Sequence, residues 1–332
     1  MQNKSCEMKF GRLSIVFFLV VLINFSCKKD DDGGTIPPIE IRDRTEQQIE
    51  DKAALLNYLN EHYYNYSTFE SSENQSLEDI IISPLPIDGV IPNPDQNKLL
   101  NDPIYGVETK TLVFQDTEYE IYFLRLNQGG GDSPNFPDKI RFRYEGFLLD
   151  NSIFDNVVTP IDSDLIGDGV NTFGLIPGWR KVMPEFNAAE SFVDGTDGTV
   201  NYVNYGLGVM FIPSGLAYFS NATAGVPAYA PIIFKFELLQ TEINDHDRDG
   251  IPSYLEDLNG DGEFTVNFED LEDTTDDDTD GDTAPNYVDR DDDNDGILTI
   301  NEDIDGDGDP TNDIGANSIP KYLDPEETES KV

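Results

Sequence analysis

The chain of 332 residues carries 66 Asp and Glu against 21 Lys and Arg, a formal net charge of -45. That balance excludes nucleic acid and anionic membrane surfaces as partners, because both repel a polyanion. Nucleophilic catalysis finds no support either: there are two histidines, His62 and His246, and two cysteines, Cys6 and Cys27, with no Cys–His arrangement among them.

Lys4, Lys9 and Arg12 precede the apolar run "LSIVFFLVVLINF", which is shorter than the roughly 20 residues a membrane span needs. It reads as a secretory signal covering residues 1–26. The run stops at Cys27 in "NFSCKKDDDGG", which resembles a bacterial lipobox with Asn24 where Leu is usual. The resemblance implies that Cys27 is acylated and anchors the chain to a membrane. The Lys-Lys-Asp-Asp-Asp run after it is similar to the export tag of surface lipoproteins in some Gram-negative bacteria. Cys6 leaves with the signal, so no disulfide is expected. Residues 27–44 read as an acylated cysteine and flexible tether.

The stretch 45–66 places Ile49, Ala53, Leu56 and Leu59 near helical spacing behind Thr45, with Glu46 in the first turn, and predicts a helix. Residues 67–118 are turn-rich, with only possible short strands. "EYEIYFLRL" (118–126) ends at the Gly129–Gly131 loop, which lacks the Lys and helix start of a phosphate loop. In "KIRFRYEG", Ile140, Phe142 and Tyr144 alternate with Lys139, Arg141, Arg143 and Glu145, the pattern of a half-buried strand. "PIIFKFELL" (231–239) repeats it with Ile232, Phe234, Phe236 and Leu238. Between them "LIPGWRKVMPEF" (175–186) begins a short helix at the only tryptophan. The expected class is α+β, an antiparallel sheet wrapped on a short helix.

In order, "RYEGFLLDNSIFDN", "LIPGWRKVMPEF", "FIPSGLAYF" and "VPAYAPIIFKFELL" resemble the FKBP-type peptidyl-prolyl isomerases over residues 119–240. The resemblance implies a proline pocket with Trp179 as floor and Tyr144, Phe154, Ile176 and Phe234 as walls. It makes Asp155 the charge at the edge, Tyr218 the hydroxyl at the rim, and the Ile176 N–H a donor to a substrate carbonyl. Phe173 is a further wall on the same grounds. No cofactor is implied for catalysis. Two departures stand out. Phe219 replaces a family glycine, so the turn beside Tyr218 is expected to differ. The segment 193–206 reads as an insertion that could crowd the pocket.

From Asp245 onward there are 31 acidic residues against 4 basic ones, or -27. The segment 241–332 repeats "DHDRDGIPSYLE", "DLNGDGE", "DDDTDGDTAPNYVD", "DDDNDGILTINE" and "DIDGDGDPTND". Alternating carboxylates before a glycine line one side of a tight loop, as hard cations such as Ca²⁺ require. The ladder supplies Asp245, Asp247, Asp249 and Glu256; Asp257, Asn259 and Asp261; Asp276, Asp278 and Asp280; Asp291, Asp293, Asp295 and Glu302; and Asp303, Asp305 and Asp307. The flanks are too short for paired EF-hand helices. The phrase is similar to thrombospondin type 3 calcium repeats without their cysteines, which implies structural Ca²⁺. Ile251, Tyr254, Leu255, Tyr287, Ile297, Tyr322 and Leu323 recur as apolar pegs.

The combined expectation is a lipoprotein of the bacterial outer membrane, facing the periplasm or the cell surface. It would isomerise prolyl bonds in exported polypeptides and carry a calcium-stabilised acidic region. Two rivals stay open: a catalytically weak FKBP-fold binding module, and a calcium-dependent structural or adhesive surface protein.

Overall fold

Asp43 opens the first helix, accepting the backbone N–H of Glu46 at 2.9 Å. The helix, α1, spans Arg44–Glu61, and its cap is Asp43 rather than Thr45. Its buried face is Gln47, Gln48, Asp51, Leu55, Tyr58 and Leu59, while Ile49 is 67 % exposed. The apolar spacing expected from Ile49 and Ala53 is thus rotated away from the core. Burial of Asp51 explains the rotation, because its carboxylate takes both the backbone N–H (2.7 Å) and the hydroxyl (2.6 Å) of Ser214. Asp51→Ala would leave the buried Ser214 N–H unpaired, at a cost of about 1–3 kcal/mol. A lowered thermal midpoint is expected, with Asp51→Asn losing less.

The computed structural model describes residues 41–70, 75–196, 198–271, 273 and 275–332. The signal, Cys27 and the tether up to residue 40 lie outside the described residues. No described helix is long and apolar enough to cross a membrane.

After α1 come β1 (His62–Tyr64), a one-turn α2 (Ser67–Glu70), β2 (Ile82–Pro84) and β3 (Lys98–Leu99), with the strands in the order β2-β1-β3. The main sheet is built from β4 (Glu108–Phe114), β5 (Thr117–Asn127), β6 (Lys139–Leu148), β7 (Ile153–Asp164), β10 (Gly206–Ile212) and β11 (Ile232–Glu242). Its order is β4-β5-β10-β11-β6-β7, with every neighbouring pair antiparallel. The short α3 (Pro177–Val182) lies on one face, where Trp179, Val182 and Met183 join Phe142, Phe234, Phe236 and Ile212 in one core. The fold is α+β, an antiparallel sheet wrapped on a short helix.

The alternation in β6 and β11 places Ile140, Phe142, Phe236 and Leu238 in that core. The opposite face is not solvated at the centre of the sheet. There Leu55, Tyr58 and Leu59 of α1 cover Tyr122, Leu124, Phe147, Val209, Phe211 and Ile233. A second core therefore exists where the alternation alone implied water.

The expected insertion forms a hairpin of β8 (Ser191–Asp194) and β9 (Val200–Val203). It joins β11 at its far end, where the Ala189 N–H donates to the Leu239 carbonyl at 3.1 Å. Leu239 lies five residues along the strand from Phe234, about 16 Å at 3.3 Å per residue. The hairpin does not crowd the aromatic cluster.

Beyond Glu242 the chain has no long element, only 3₁₀ turns at Ser253–Leu255, Asn286–Val288, Thr299–Asn301, Pro310–Asn312 and Lys321–Leu323. Ile251, Tyr287 and Tyr322 are buried, while Leu255 is 43 % exposed and serves no core.

Candidate functional site

"IPGW" folds into the first turn of α3 for local reasons. Pro177 has no N–H to lose at the helix start, and the Trp179 N–H donates to the Ile176 carbonyl at 3.0 Å. Gly178 is there for space: a Cβ at that position would sit 2.6 Å from the Ile212 side chain. The helix thus lies directly on β10, which points Trp179 into the sheet.

Around the indole the ring centroids are close: Phe142 at 4.9 Å, Phe234 at 5.0 Å, Tyr144 at 5.6 Å and Phe236 at 5.9 Å. Phe154 reaches Phe234 at 5.6 Å. Gly146 makes this crossing possible, since a Cβ there would meet Phe154 and Phe234, each at 2.7 Å. Tyr144, Phe154, Ile176 and Tyr218 are half-buried against the cluster. The Tyr144 hydroxyl donates to the exposed Asp155 carboxylate at 2.7 Å. Burial, and then Asp155, raise the Tyr144 phenol above its usual range, and the same causes raise Tyr218. Both hydroxyls therefore stay protonated donors. The Ile176 N–H donates to no partner among the described residues.

Seven of the eight residues expected at the pocket meet in one place. The tryptophan, however, is only 3 % exposed. Its surroundings close over it, and the solvent-facing surface belongs to Tyr144, Phe154, Ile176 and Tyr218. Phe173 does not belong to this wall, being 82 % exposed. Position 219 also departs from expectation. Phe219 takes φ 47°, the left-handed conformation that glycine adopts freely. The turn thus keeps a backbone suited to glycine, and the side chain is placed elsewhere. Its ring stacks edge-on to Tyr229 at 5.2 Å, with the Arg44 guanidinium 4.2 Å above it. Phe219 anchors the start of α1 instead of lining the pocket.

The acidic region gathers carboxylates into four groups, each with ligand atoms within 4.8 Å of one another. Asp247, Asp249 and Glu256 are joined by Asp292, all four buried. Asp291, Asp293 and Asp295 form a second group, Asp303, Asp305 and Asp307 a third, and Asp278, Asp280 and Asp282 a fourth. Sequence reasoning missed Asp292 and Asp282. Asp292 comes from a different repeat, so no single-loop pattern reveals it; Asp282 continued the alternation and was legible. The other expected ligands lie outside these four groups; of them, both carboxylate oxygens of Glu302 are buried without a partner, and the rest accept backbone N–H groups. Asp245 accepts the N–H groups of Arg248 and Gly250, and Asp276 those of Asn267 and Asp278. Asp257 accepts from Gly260, Asp261 and Gly262, Asn259 from Asp261, and Asp261 from Glu263.

Among the described residues, fourteen buried side-chain polar atoms lack a partner, and twelve of them are carboxylate oxygens between Asp247 and Glu302. Buried carboxylates without partners cost several kcal/mol each unless protonated or neutralised by a cation. Burial, helped by neighbouring carboxylates, pushes Glu256 up to about 11, Asp292 to about 10 and Glu302 to about 8. An all-oxygen donor set of this kind fits a hard cation such as Ca²⁺.

Comparison with known proteins bears on both regions. The chain is 29 % identical over 125 residues to the FKBP-type 22 kDa peptidyl-prolyl cis-trans isomerase of Escherichia coli K12, covering 37 % of this chain and 51 % of that protein. It is 30 % identical over 142 residues to the FKBP-type isomerase FkpA of the same strain, covering 41 % of each. This chain carries a segment similar to FKBP-type peptidyl-prolyl isomerases. It spans no more than about half the length of these curated relatives. The crystal structure of a peptidyl-prolyl isomerase from Pseudomonas syringae covers 43 % of this chain and 84 % of its own, at 21 % identity and a TM-score of 0.31. The E. coli FkpA structure covers 37 % and 48 %, at 24 % identity and a TM-score of 0.29. Outside the FKBP-similar segment, the BamM C-terminal family pattern matches residues 246–309, most of the acidic region.

Proposed function

We propose that the FKBP-similar segment is a peptidyl-prolyl cis–trans isomerase acting on exported polypeptides, with Ca²⁺ as a structural ion in the acidic region. The observation that carries this reading is the half-buried rim of Tyr144, Phe154, Ile176 and Tyr218 over a fully aromatic floor. Prolyl rotation meets a barrier of about 18–20 kcal/mol because amide resonance must be broken. No bond to the protein is needed. A dry aromatic rim strips water from the prolyl carbonyl and favours the less polar twisted amide. The Ile176 N–H, and the Tyr218 hydroxyl at the rim, are the donors for substrate carbonyls. Asp155 accepts from Tyr144 and fixes that wall. A proline ring enters between Tyr144, Phe154, Ile176 and Tyr218, and Trp179 supports it from beneath.

The near closure of Trp179 favours a second reading, a binding module with weak turnover. A prolyl-isomerase assay on the exported chain separates the two. Phe154→Ala is expected to lower turnover about tenfold, or 1.4 kcal/mol of transition-state binding, without loss of fold. A wild-type chain that accelerates no Xaa-Pro peptide above background leaves the binding module.

The buried carboxylate groups support structural Ca²⁺, and they equally suit the third reading, a calcium-dependent surface protein. Acylation at Cys27 and residence in the outer membrane complete the proposal on the strength of the sequence; mass spectrometry of the membrane-extracted protein tests the lipid.

A further inference from the structure

Two sets of contacts join the acidic region to the polypeptide around Trp179. Glu263 pairs with Arg180 (2.5 Å) and with Lys181 (2.6 Å), the two residues after the tryptophan, and the Lys181 ammonium also donates to the Gly262 carbonyl at 2.8 Å. These are not loose surface pairs, since the three side chains are 9–17 % exposed. On the other side, the chain leading into Ile176 is held at Ile166 and Gly167. His246 Nε2 lies 2.8 Å from the Ile166 carbonyl, and the Tyr287 hydroxyl donates to the Gly167 carbonyl at 3.1 Å. Tyr287 stacks flat on Phe264 at 3.9 Å, beside Glu263.

The loop that presents Glu263 is itself held by Asp277. One oxygen of Asp277 accepts the Leu258 N–H and the other the Thr265 N–H, both at 2.8 Å, clamping the loop at its two ends. The next residue, Asp278, belongs to the Asp278, Asp280 and Asp282 group. A continuous path therefore runs from a carboxylate group through Asp277 and Glu263 to α3. With six residues, α3 is far below the length at which a helix holds itself, so its position depends on what it is tied to.

We infer that Glu263 is a positioning residue through which cation binding in the acidic region sets α3, and with it the proline pocket. The inference rests on the calcium reading above. Calcium folds the loops, Asp277 fixes the 258–265 loop, and Glu263 draws Arg180 and Lys181 so that Trp179 seats against Phe234 and Tyr144. Without the cation the loop loosens and α3 keeps Lys110, which donates to the Lys181 carbonyl at 3.1 Å, as its remaining polar tie from β4.

The single tryptophan makes the test direct, because the exported chain shows one indole N–H resonance. CaCl₂ alone is titrated into the chelated chain, with calorimetry in parallel, and a short Phe-Pro peptide is bound with and without calcium. Calcium is expected to move the indole resonance and to tighten peptide binding on the order of tenfold. Glu263→Gln should keep the heat of calcium binding and the far-UV spectrum, while its calcium-loaded indole resonance sits towards the chelated wild-type position. A role in stability alone would not move that resonance in a folded, loaded chain. Calcium heat with an unmoved indole overturns the coupling and leaves the calcium reading standing. Absence of calcium heat overturns both. A Glu263→Gln chain that responds like wild type removes Glu263 from the path.

Discussion

Chelation of calcium is expected to open the acidic region to protease while the six-stranded sheet stays resistant. The four buried carboxylates Asp247, Asp249, Glu256 and Asp292 draw together parts of the chain more than forty residues apart in sequence. With -27 in residues 245–332 and few apolar pegs, self-repulsion has little to oppose it once the cation is gone. A cation at a thousandfold its dissociation constant contributes about 4 kcal/mol of folding stability, enough to decide the state of a region with so small a core. Limited proteolysis of the chain in calcium and in chelator, with fragments identified by mass, checks this. Asp292→Ala should reproduce the effect in calcium, since it removes the carboxylate that crosses between repeats. Equal resistance in chelator and calcium would leave the carboxylate groups without the proposed role.

The pH dependence has a definite sign. Without cation, Glu256 and Asp292 bind protons in the folded form up to about 11 and 10, far above the unfolded values near 4. A group with a raised folded value contributes stability that is fully present below its unfolded pKa and is lost as pH rises through the folded one. The chelated region should therefore resist protease better at pH 5 than at pH 8. Calcium is expected to reverse the order, because a bound cation would displace the same protons and bind more tightly as pH rises. Chelated protein that is no more resistant at pH 5 than at pH 8 would contradict the buried carboxylate centre.

Trp179→Ala is expected to cost about 3–5 kcal/mol of stability. The indole is enclosed by Phe142, Tyr144, Phe234 and Phe236, and truncation leaves a cavity between α3 and the sheet that four rings cannot all fill. Thermal denaturation of the calcium-loaded chain should show a large fall in midpoint, and Trp179→Phe a smaller one. The contrast with Phe154→Ala matters for function. Phe154 is half-buried at the rim, so its loss should reach activity before stability. A Trp179→Ala chain of unchanged midpoint would mean that the indole packs loosely and that the pocket floor is elsewhere.

The alternation in "KIRFRYEG" and "PIIFKFELL" was enough to put Ile140, Phe142, Phe234 and Phe236 on one face, because successive side chains of a strand point to opposite sides; it did not show that Phe147 and Ile233 on the other face are buried as well. It was the FKBP resemblance that implied Tyr144 and Phe234 around the tryptophan, where their rings lie. The carboxylate ladders were legible in part: Asp247 with Asp249, Asp278 with Asp280, Asp291 with Asp293 and Asp295, and Asp303 with Asp305 and Asp307 do gather as the alternation implied. What the chain could not show locally was what lies against each surface. The α1 register follows Asp51 and its two bonds to Ser214, 163 residues away, not the apolar spacing of Ile49 and Ala53. Phe219 reads as a lost glycine, yet it keeps glycine's left-handed backbone because Tyr229 and Arg44 hold its ring. Asp292 joins the first carboxylate centre from another repeat, and Glu263 reaches Arg180 across 83 residues. Periodicity and motif spacing report which residues share a local face. Pairing between distant charges and rings is decided only when the tertiary fold brings them within a few ångströms, where burial makes an unpaired group costly.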